Sequence, residues 1–314
     1  MVFLQHYQLG QPQPCYLYIK SLCHHRVDEQ LLGHGLYIKL KYPILFAGIT
    51  VILSPLIFSA IGMILVDTAT AEPLSVQSRS APSMDLPFGS DLHGRNLFAA
   101  IIKGIPMTLY VGFLAGSIGL GIGIFLGFLT GYIGGKFDTA IRIVTDSLMT
   151  IPSIAVMVVL AISIEENITL NQMALVISSL SWMGPTRVIR AQVLTLKERP
   201  FIEVCRLSGM NTFEIIFQEI LPNMLPFLAA SFTGAVTGSI LASVGLEAIG
   251  LGPMAEPTMG MTLYWAITFS AMIAGMWWWW LPPIIIIVII FCGLYLIAAG
   301  LDKIANPRLE GPQA

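Results

Sequence analysis

The chain has 314 residues, of which 55% are hydrophobic and only 11% charged, and its mean hydropathy is +0.79. Soluble domains carry about 25% charged residues, so this is a polytopic membrane protein whose main solvent is lipid. The net charge of −2, with no basic patch interleaved with aromatics, excludes a nucleic-acid partner, and the scattered Cys15, Cys23, Cys205 and Cys292, with no C-x-x-C pair, exclude a disulfide framework or a zinc site.

Residues 1–42 read as a cytoplasmic segment. Leu32, Leu36 and Leu40 sit four apart beside Lys39 and Lys41, which suits a short helix lying on the inner membrane face. No compact apolar run ends in a small-residue cleavage site, so the segment is not read as a signal peptide. His24 and His25 stand next to Cys23 without further ligands at a defined spacing, and read as solvated tail. Residues 43–66 form the first transmembrane helix. Residues 67–103 form an external loop, irregular from Ala71 to Pro87. Five further apolar stretches fill a core from 104 to 300: Gly104–Tyr132, Thr139–Ile164, Leu170–Val193, Met224–Leu246 and Met276–Ala299. Residues 301–314 are a cytoplasmic tail. At about 1.5 Å rise per residue each stretch can cross about 30 Å of hydrocarbon. All must be helical, because lipid offers the backbone no other hydrogen-bond partner. The expected fold is all-α with six transmembrane helices.

Within that core the second span is dense in glycine. Gly112 and Gly116, Gly119 and Gly123, and Gly123 and Gly127 lie four apart, so one face lets neighbouring backbones approach closely. The same run matches a dinucleotide-type Gly-x-Gly-x-x-Gly pattern, but inside a lipid-length helix with no preceding strand that match is spurious. Asp138, Arg142 and Asp146 fall at i, i+4 and i+8 near the inner end of the third span. They read as a local ion-pair ladder, with Asp146 as the alternative gate or path residue. Pro152 should kink that span. Glu165, Glu166 and Asn167 make a short external turn. Arg187 and Arg190, one turn apart, read as anchors in phosphate headgroups. Glu247, at the outer end of the fifth span, is a second gate or path candidate by virtue of its charge, with water exposure as the plain alternative. Trp277–Trp280 opens the sixth span as an interfacial aromatic belt.

Between the fourth and fifth spans runs a charged stretch, residues 197–223, carrying Lys197, Glu198, Arg199, Glu203, Arg206, Glu214 and Glu219. Each charge costs about 2.5 to 3.5 kcal/mol at the centre of a span, so the stretch must lie in water. Pro200 can start a helix there, with Ile202, Cys205 and Leu207 on one apolar side. Gly209 and Asn211 make a turn. Phe213, Ile216, Phe217 and Ile220 then recur as in a second amphipathic helix, which Leu221-Pro222 ends. Of the 16 Lys and Arg, only Arg79, Arg95 and Lys103 fall outside if both termini are cytoplasmic. The positive-inside rule therefore puts residues 197–223 in the cytosol.

The order Glu203-Val204-Cys205, three residues, Gly209, then Ile220-Leu221-Pro222 resembles the EAA loop of permease subunits of binding-protein-dependent ABC importers, with Val204 and Cys205 in place of two alanines. The spacing is similar to that of the dipeptide/oligopeptide/nickel branch, and in particular its C-type permease. Phe88-Gly89-Ser90-Asp91-Leu92-His93-Gly94-Arg95-Asn96 resembles that branch's FGTD-x-x-GRD signature, with Ser90 for Thr and Asn96 for the last Asp. Arg187–Arg199 resembles its run into the EAA loop. Ala242–Gly252 resembles its L-S-F-L-G-L-G run, with Ser243 where an acidic residue is frequent. Asp302–Arg308 is similar to its closing tail. The resemblance covers about Phe88 to Arg308.

The resemblance implies an ABC importer type I permease architecture and half of a translocation path for peptides, worked by alternating access. Nickel or oligosaccharides are the alternative cargo. It implies that Pro200, Phe201, Glu203, Arg206, Gly209, Met210 and Asn211 couple to an ATPase. The implied partners are a second related permease in a heterodimer, two cytoplasmic ATPase subunits and an external substrate-binding protein, all in the cell membrane. The chain has no P-loop motif. It is therefore expected to be a non-catalytic subunit that binds no cofactor itself, with ATP and Mg on the partner subunits. An ion-coupled secondary transporter would need ionisable groups at mid-membrane, and a membrane-embedded enzyme would need a convergent catalytic cluster; the sequence displays neither.

Overall fold

The computed structural model describes residues 42–164 and 167–305. The expected inner-face helix around Leu32–Leu40, the His24–His25 pair, Glu165, Glu166 and the tail from residue 306 lie outside the described residues. Among the described residues there are ten helices besides a short 3-10 turn at Thr68–Ala71, and no strand, only a single bridge between Ser90 and Asn96. In chain order they are α1 (Pro43–Leu65), α2 (Leu97–Ile133), α3 (Gly135–Met149), α4 (Ser153–Ile162), α5 (Leu170–Ser181), α6 (Met183–Lys197), α7 (Pro200–Leu207), α8 (Thr212–Ala248), α9 (Met259–Thr268) and α10 (Trp277–Ala305).

Among the described residues four helices are long and apolar enough to cross a membrane alone: α1, α2, α8 and α10. The third expected span is broken. α3 and α4 meet at 83°, far beyond a proline kink. The cause is local: Pro152 has extended backbone (ψ 112°), has no N–H for the ladder, and keeps its predecessor out of helical geometry. The fourth expected span is α5 followed, after Trp182 alone, by α6. Trp182 keeps helical angles (φ −76°, ψ −23°), so the two halves run end to end.

Two further boundaries differ from the sequence reading. α2 starts at Leu97, seven positions before Gly104, because the Asn96 side chain caps it by accepting from the backbone N–H of Phe98 at 3.0 Å and of Ala99 at 3.4 Å. Leu221-Pro222 ends nothing. The chain stays helical from Thr212 to Ala248, passing through a wide π-turn at Ile215–Ile220, where the Leu221 N–H donates to the Ile216 carbonyl. That wider turn accommodates a proline ring that an α-turn would reject.

α2 is the hub of the molecule, packed against α1, α5, α6 and α8, while α1 lies along α10 and α10 along α8. Its glycines set these approaches. A Cβ on Gly112 would overlap Ile240 of α8, and one on Gly116 would lie 2.9 Å from Val236 Cα. Further along, a Cβ on Gly119 would overlap Ser181. One on Gly123 would sit 2.6 Å from Pro185 Cβ, and one on Gly127 2.9 Å from Ile189. The first pair therefore meets α8 and the remaining three meet α5 and α6. The tryptophan run is split: Trp277 is half exposed, whereas Trp279 is buried and stacks on Phe269 at 6.3 Å. Trp279 is thus core, not belt.

Candidate functional site

The charged stretch opens with a short helix, α7, resting where the end of α2, the end of α6 and the start of α8 meet. Pro200 begins α7, where its missing N–H costs nothing. Ile202 and Cys205 are fully buried, in one cluster with Phe128, Tyr132, Ile189, Val193, Ile220 and Met224, and Phe201 and Met210 pack at its edge. Leu207 does not share that face. It is 84% exposed, beside exposed Val204, Glu203 and Arg206, and Phe213 and Phe217 are also exposed. One turn of the helix is thus pinned by apolar burial and the opposite side is offered outward. Glu219 is buried, so it departs from the expectation that all seven charges sit in water.

The end of α7 is closed by backbone geometry. Gly209 has φ +84°, the left-handed region that favours glycine. The N–H of Gly209 donates to the Arg206 carbonyl at 3.1 Å, and that of Met210 to the Cys205 carbonyl at 3.2 Å. Asn211 then caps the next helix reciprocally with Glu214: the Asn211 N–H donates to Glu214 Oε2 at 2.8 Å and the Glu214 N–H to Asn211 Oδ1 at 3.0 Å. The run from Pro200 to Asn211 is therefore one ordered helix–turn–cap unit.

Tyr132 fixes that unit to the hub helix. Lys197 Nζ donates to the Tyr132 carbonyl at 2.7 Å and lies 5.5 Å from the centre of its ring; the Arg206 guanidinium lies 5.8 Å from the same centre. Tyr132 and Lys197 were missed in the sequence, since nothing local marks an aromatic at a helix end as the seat for two cations 65 and 74 positions away.

The acidic stripe on α3 is not a local ladder. Asp138 is gripped by Arg190 of α6, both guanidinium arms meeting both carboxylate oxygens, with Arg190 Nη2 donating to Asp138 Oδ2 at 2.6 Å. Asp146 faces Arg187, also on α6, at 3.8 Å. Arg187 and Arg190 are therefore engaged across helices and not solely with headgroups. Asp146 is half exposed, near the end of α3. Glu247 lies near the end of α8, fully buried, so the two do not converge.

Glu247 is not water-exposed. Its carboxylate accepts from Ser243 Oγ at 2.9 Å and from Thr258 Oγ1 at 2.7 Å. Thr258 is the N-cap of α9, so the carboxyl group sits at the N-terminus of that helix. The FGSD-type motif likewise has a structural place. Asp91 is buried and accepts from the Arg95 N–H at 2.8 Å, and burial pushes its carboxyl above the usual range.

The model of the family described as "Binding-protein-dependent transport system inner membrane component" matches residues 123–311. The dipeptide transport system permease protein DppC of Bacillus subtilis (strain 168) is 26% identical over 270 residues, 86% of this chain and 83% of that protein. The oligopeptide transport system permease protein OppC of Escherichia coli (strain K12) is 31% identical over 231 residues, 73% of this chain and 75% of that protein. A chain of the MetNI methionine ABC transporter, solved in inward-facing conformations, aligns with 94% of its length and 66% of this chain at a TM-score of 0.49 and 22% identity.

Proposed function

The chain belongs to the binding-protein-dependent transport system inner membrane component family, and from that premise we propose that it forms half of a peptide path driven by ATP hydrolysis on separate subunits. The observation that carries this reading is α7: a helix anchored by Ile202 and Cys205, terminated by Gly209, and presenting Glu203, Val204, Arg206 and Leu207 outward. Val204 and Leu207 on α7, with Phe213 and Phe217 just after the turn, are all exposed, and a motor subunit gripping this face would bury them together.

In this reading both termini and α7 lie in the cytosol, which the distribution of Lys and Arg supports. Pro200, Phe201, Glu203, Arg206, Gly209, Met210 and Asn211 form the lever. A push on α7 passes through Tyr132 to α2, and through the buried cluster to α6 and α8, so the spans move together. A second, related permease supplies the other half of the path, two ATPases hold ATP and Mg, and an external protein delivers cargo. Peptides are the cargo named for the relatives above, and we extend that class to this chain.

The reading is tested by reconstituting the chain with its partner permease, ATPases and binding protein in vesicles and measuring uptake of tri-alanine. ATP-dependent uptake supports it. Uptake by this chain alone, or none with the full set, overturns it.

A further inference from the structure

α1 changes partner along its length. Its first half lies against α10, backbone to backbone. A Cβ on Gly48 would stand 2.6 Å from the Ile297 backbone nitrogen, one on Gly293 2.9 Å from that of Ile52, and one on Gly300 2.7 Å from Leu45 Cβ. Its second half turns to α2, where Ser59 Oγ donates to the Ile102 carbonyl at 2.7 Å and a Cβ on Gly62 would overlap the Ile102 side chain. α1 and α10 therefore part, and a cleft of about 450 Å³ opens between them. Pro55 and Pro282, both buried, form its floor, and Phe58, Trp277 and Ile285, all exposed, form its rim.

The cleft has the length and chemistry of one bilayer leaflet. Along α10 its wall runs from Trp277 to Ile289, about 18 Å at the helical rise, against about 15 Å for half of a hydrocarbon core. Along α1 it reaches Ser54, the midpoint of Pro43–Leu65. No charged residue lines it, and its one hydroxyl, on Ser54, already donates to the Val51 carbonyl at 2.8 Å. Both walls are helices long and apolar enough to span a membrane alone, so the cleft opens to hydrocarbon, with Trp277 at its interfacial end. A cation stands near that end. Arg79 is exposed, and its N–H donates to the Asp91 carbonyl at 2.9 Å. The N–H of the next residue, Ser80, donates to Ser90 Oγ at 2.8 Å, and the Ser90 carbonyl accepts from Trp278 Nε1 at 3.4 Å. These bonds tie the Arg79 backbone to the start of α10, where the cleft begins.

We propose that this cleft binds one phospholipid, whose acyl chain lies between α1 and α10 and whose phosphate meets Arg79. The close contacts of α1 with α10 on one side and with α2 on the other keep the cleft from closing, and an unfilled gap forfeits the dispersion contacts of its lining. An acyl chain is flexible, apolar and one leaflet long, so it fills this shape from end to end. A guanidinium matches phosphate oxygens with paired N–H groups. In the orientation proposed above the lipid comes from the outer leaflet. The site needs α1 and α10 to span the bilayer and is indifferent to cargo.

The test uses the whole importer in detergent, freed of bulk lipid by exchange and then offered phosphatidylglycerol with a diazirine near the end of one acyl chain. After illumination, adducts are mapped by mass spectrometry. They are expected on the α1 and α10 residues that line the cleft. Ile285→Trp, which fills the cleft, is expected to cut them about tenfold, and Arg79→Gln about threefold, as for an exposed charge contact. Ser54→Phe fills the same space from the α1 wall and should show the Ile285→Trp loss where that variant fails to assemble. Adducts spread evenly over the apolar helices, or undiminished in both filling variants, overturn the site. Loss of the partner permease from a filled variant also overturns it, assigning the cleft to packing between permeases. Equal adducts in wild type and Arg79→Gln overturn the phosphate contact.

Discussion

Lys197 donates to the backbone carbonyl of Tyr132 at 2.7 Å, joining the last residue of α6 to the last turn of α2. The carbonyls of a final helical turn have no partner of their own and carry the negative end of the helix, so an ammonium there is doubly placed. This contact makes the charged loop part of the helical core.

Lys197→Met keeps the aliphatic stem and loses the donor. Transport per ATP hydrolysed is expected to fall several-fold while the ATPases still co-purify, since α7 itself is intact. Lys197→Arg, which can still donate, should recover most of it. Equal coupling ratios in wild type and Lys197→Met would show that the contact transmits nothing.

Gly209 has open space around it, so its requirement is purely one of backbone conformation. A β-branched residue at φ +84° costs about 1 to 2 kcal/mol or more, and Asn tolerates this region better. Gly209→Val is therefore expected to weaken capture of the ATPases in pull-downs, with Gly209→Asn in between. If Val and Asn bind alike, the turn is not strained in the way its angles imply.

Two glycines two positions apart on α2 should behave in opposite ways. A side chain on Gly123 would strike Pro185 and Thr186 of α6, whereas one on Gly121 meets nothing within 4 Å among the described residues. Overpacking costs about 1 to 3 kcal/mol or more. Gly123→Leu should thus reduce the amount of folded protein recovered from membranes, and Gly121→Leu should leave it unchanged. Recovery is measured by monodisperse yield in detergent, and equal yields would contradict the assigned packing.

Glu247 ties α8 to α9 through Ser243 and Thr258. Removing the carboxylate orphans two buried hydroxyls at about 1 to 3 kcal/mol each. Glu247→Ala should therefore lose thermal stability in detergent, and Glu247→Gln, which keeps one acceptor oxygen, should lose less. If Glu247→Ala is as stable as wild type but fails to transport, the residue belongs to the path and not to the scaffold.

Much of this was legible in the chain because lipid simplifies the reading: apolar length alone located α1, α10 and the Met224–Leu246 part of α8, and the loop from 197 to 223 stood out by charge. Features that depend on chain-distant partners were not legible. Asp138 and Arg142 are at ideal ladder spacing, yet Asp138 is taken by Arg190, 52 positions away. Glu247 looked like a charge at a water boundary because Thr258, which helps to bury it, comes from the following loop. Pro152 and Pro222 have the same chemistry and opposite outcomes: one breaks the helix by 83°, and the other is absorbed by a π-turn. Only packing around each decides which occurs. Asn96 is a residue type suited to capping a helix, yet the expected span begins only at Gly104, seven residues after α2 starts.

The central claim is that the outward face of α7 is gripped by a motor subunit in the cytosol. The most direct measurement is site-specific cross-linking in membranes carrying the whole importer, with the remaining cysteines replaced. Leu207→Cys is predicted to cross-link to an ATPase subunit and to resist membrane-impermeant thiol reagents added from outside, whereas Ile202→Cys, buried in the core, should do neither. Labelling of Leu207→Cys from outside, or its failure to reach any ATPase while the complex remains assembled, would contradict the account.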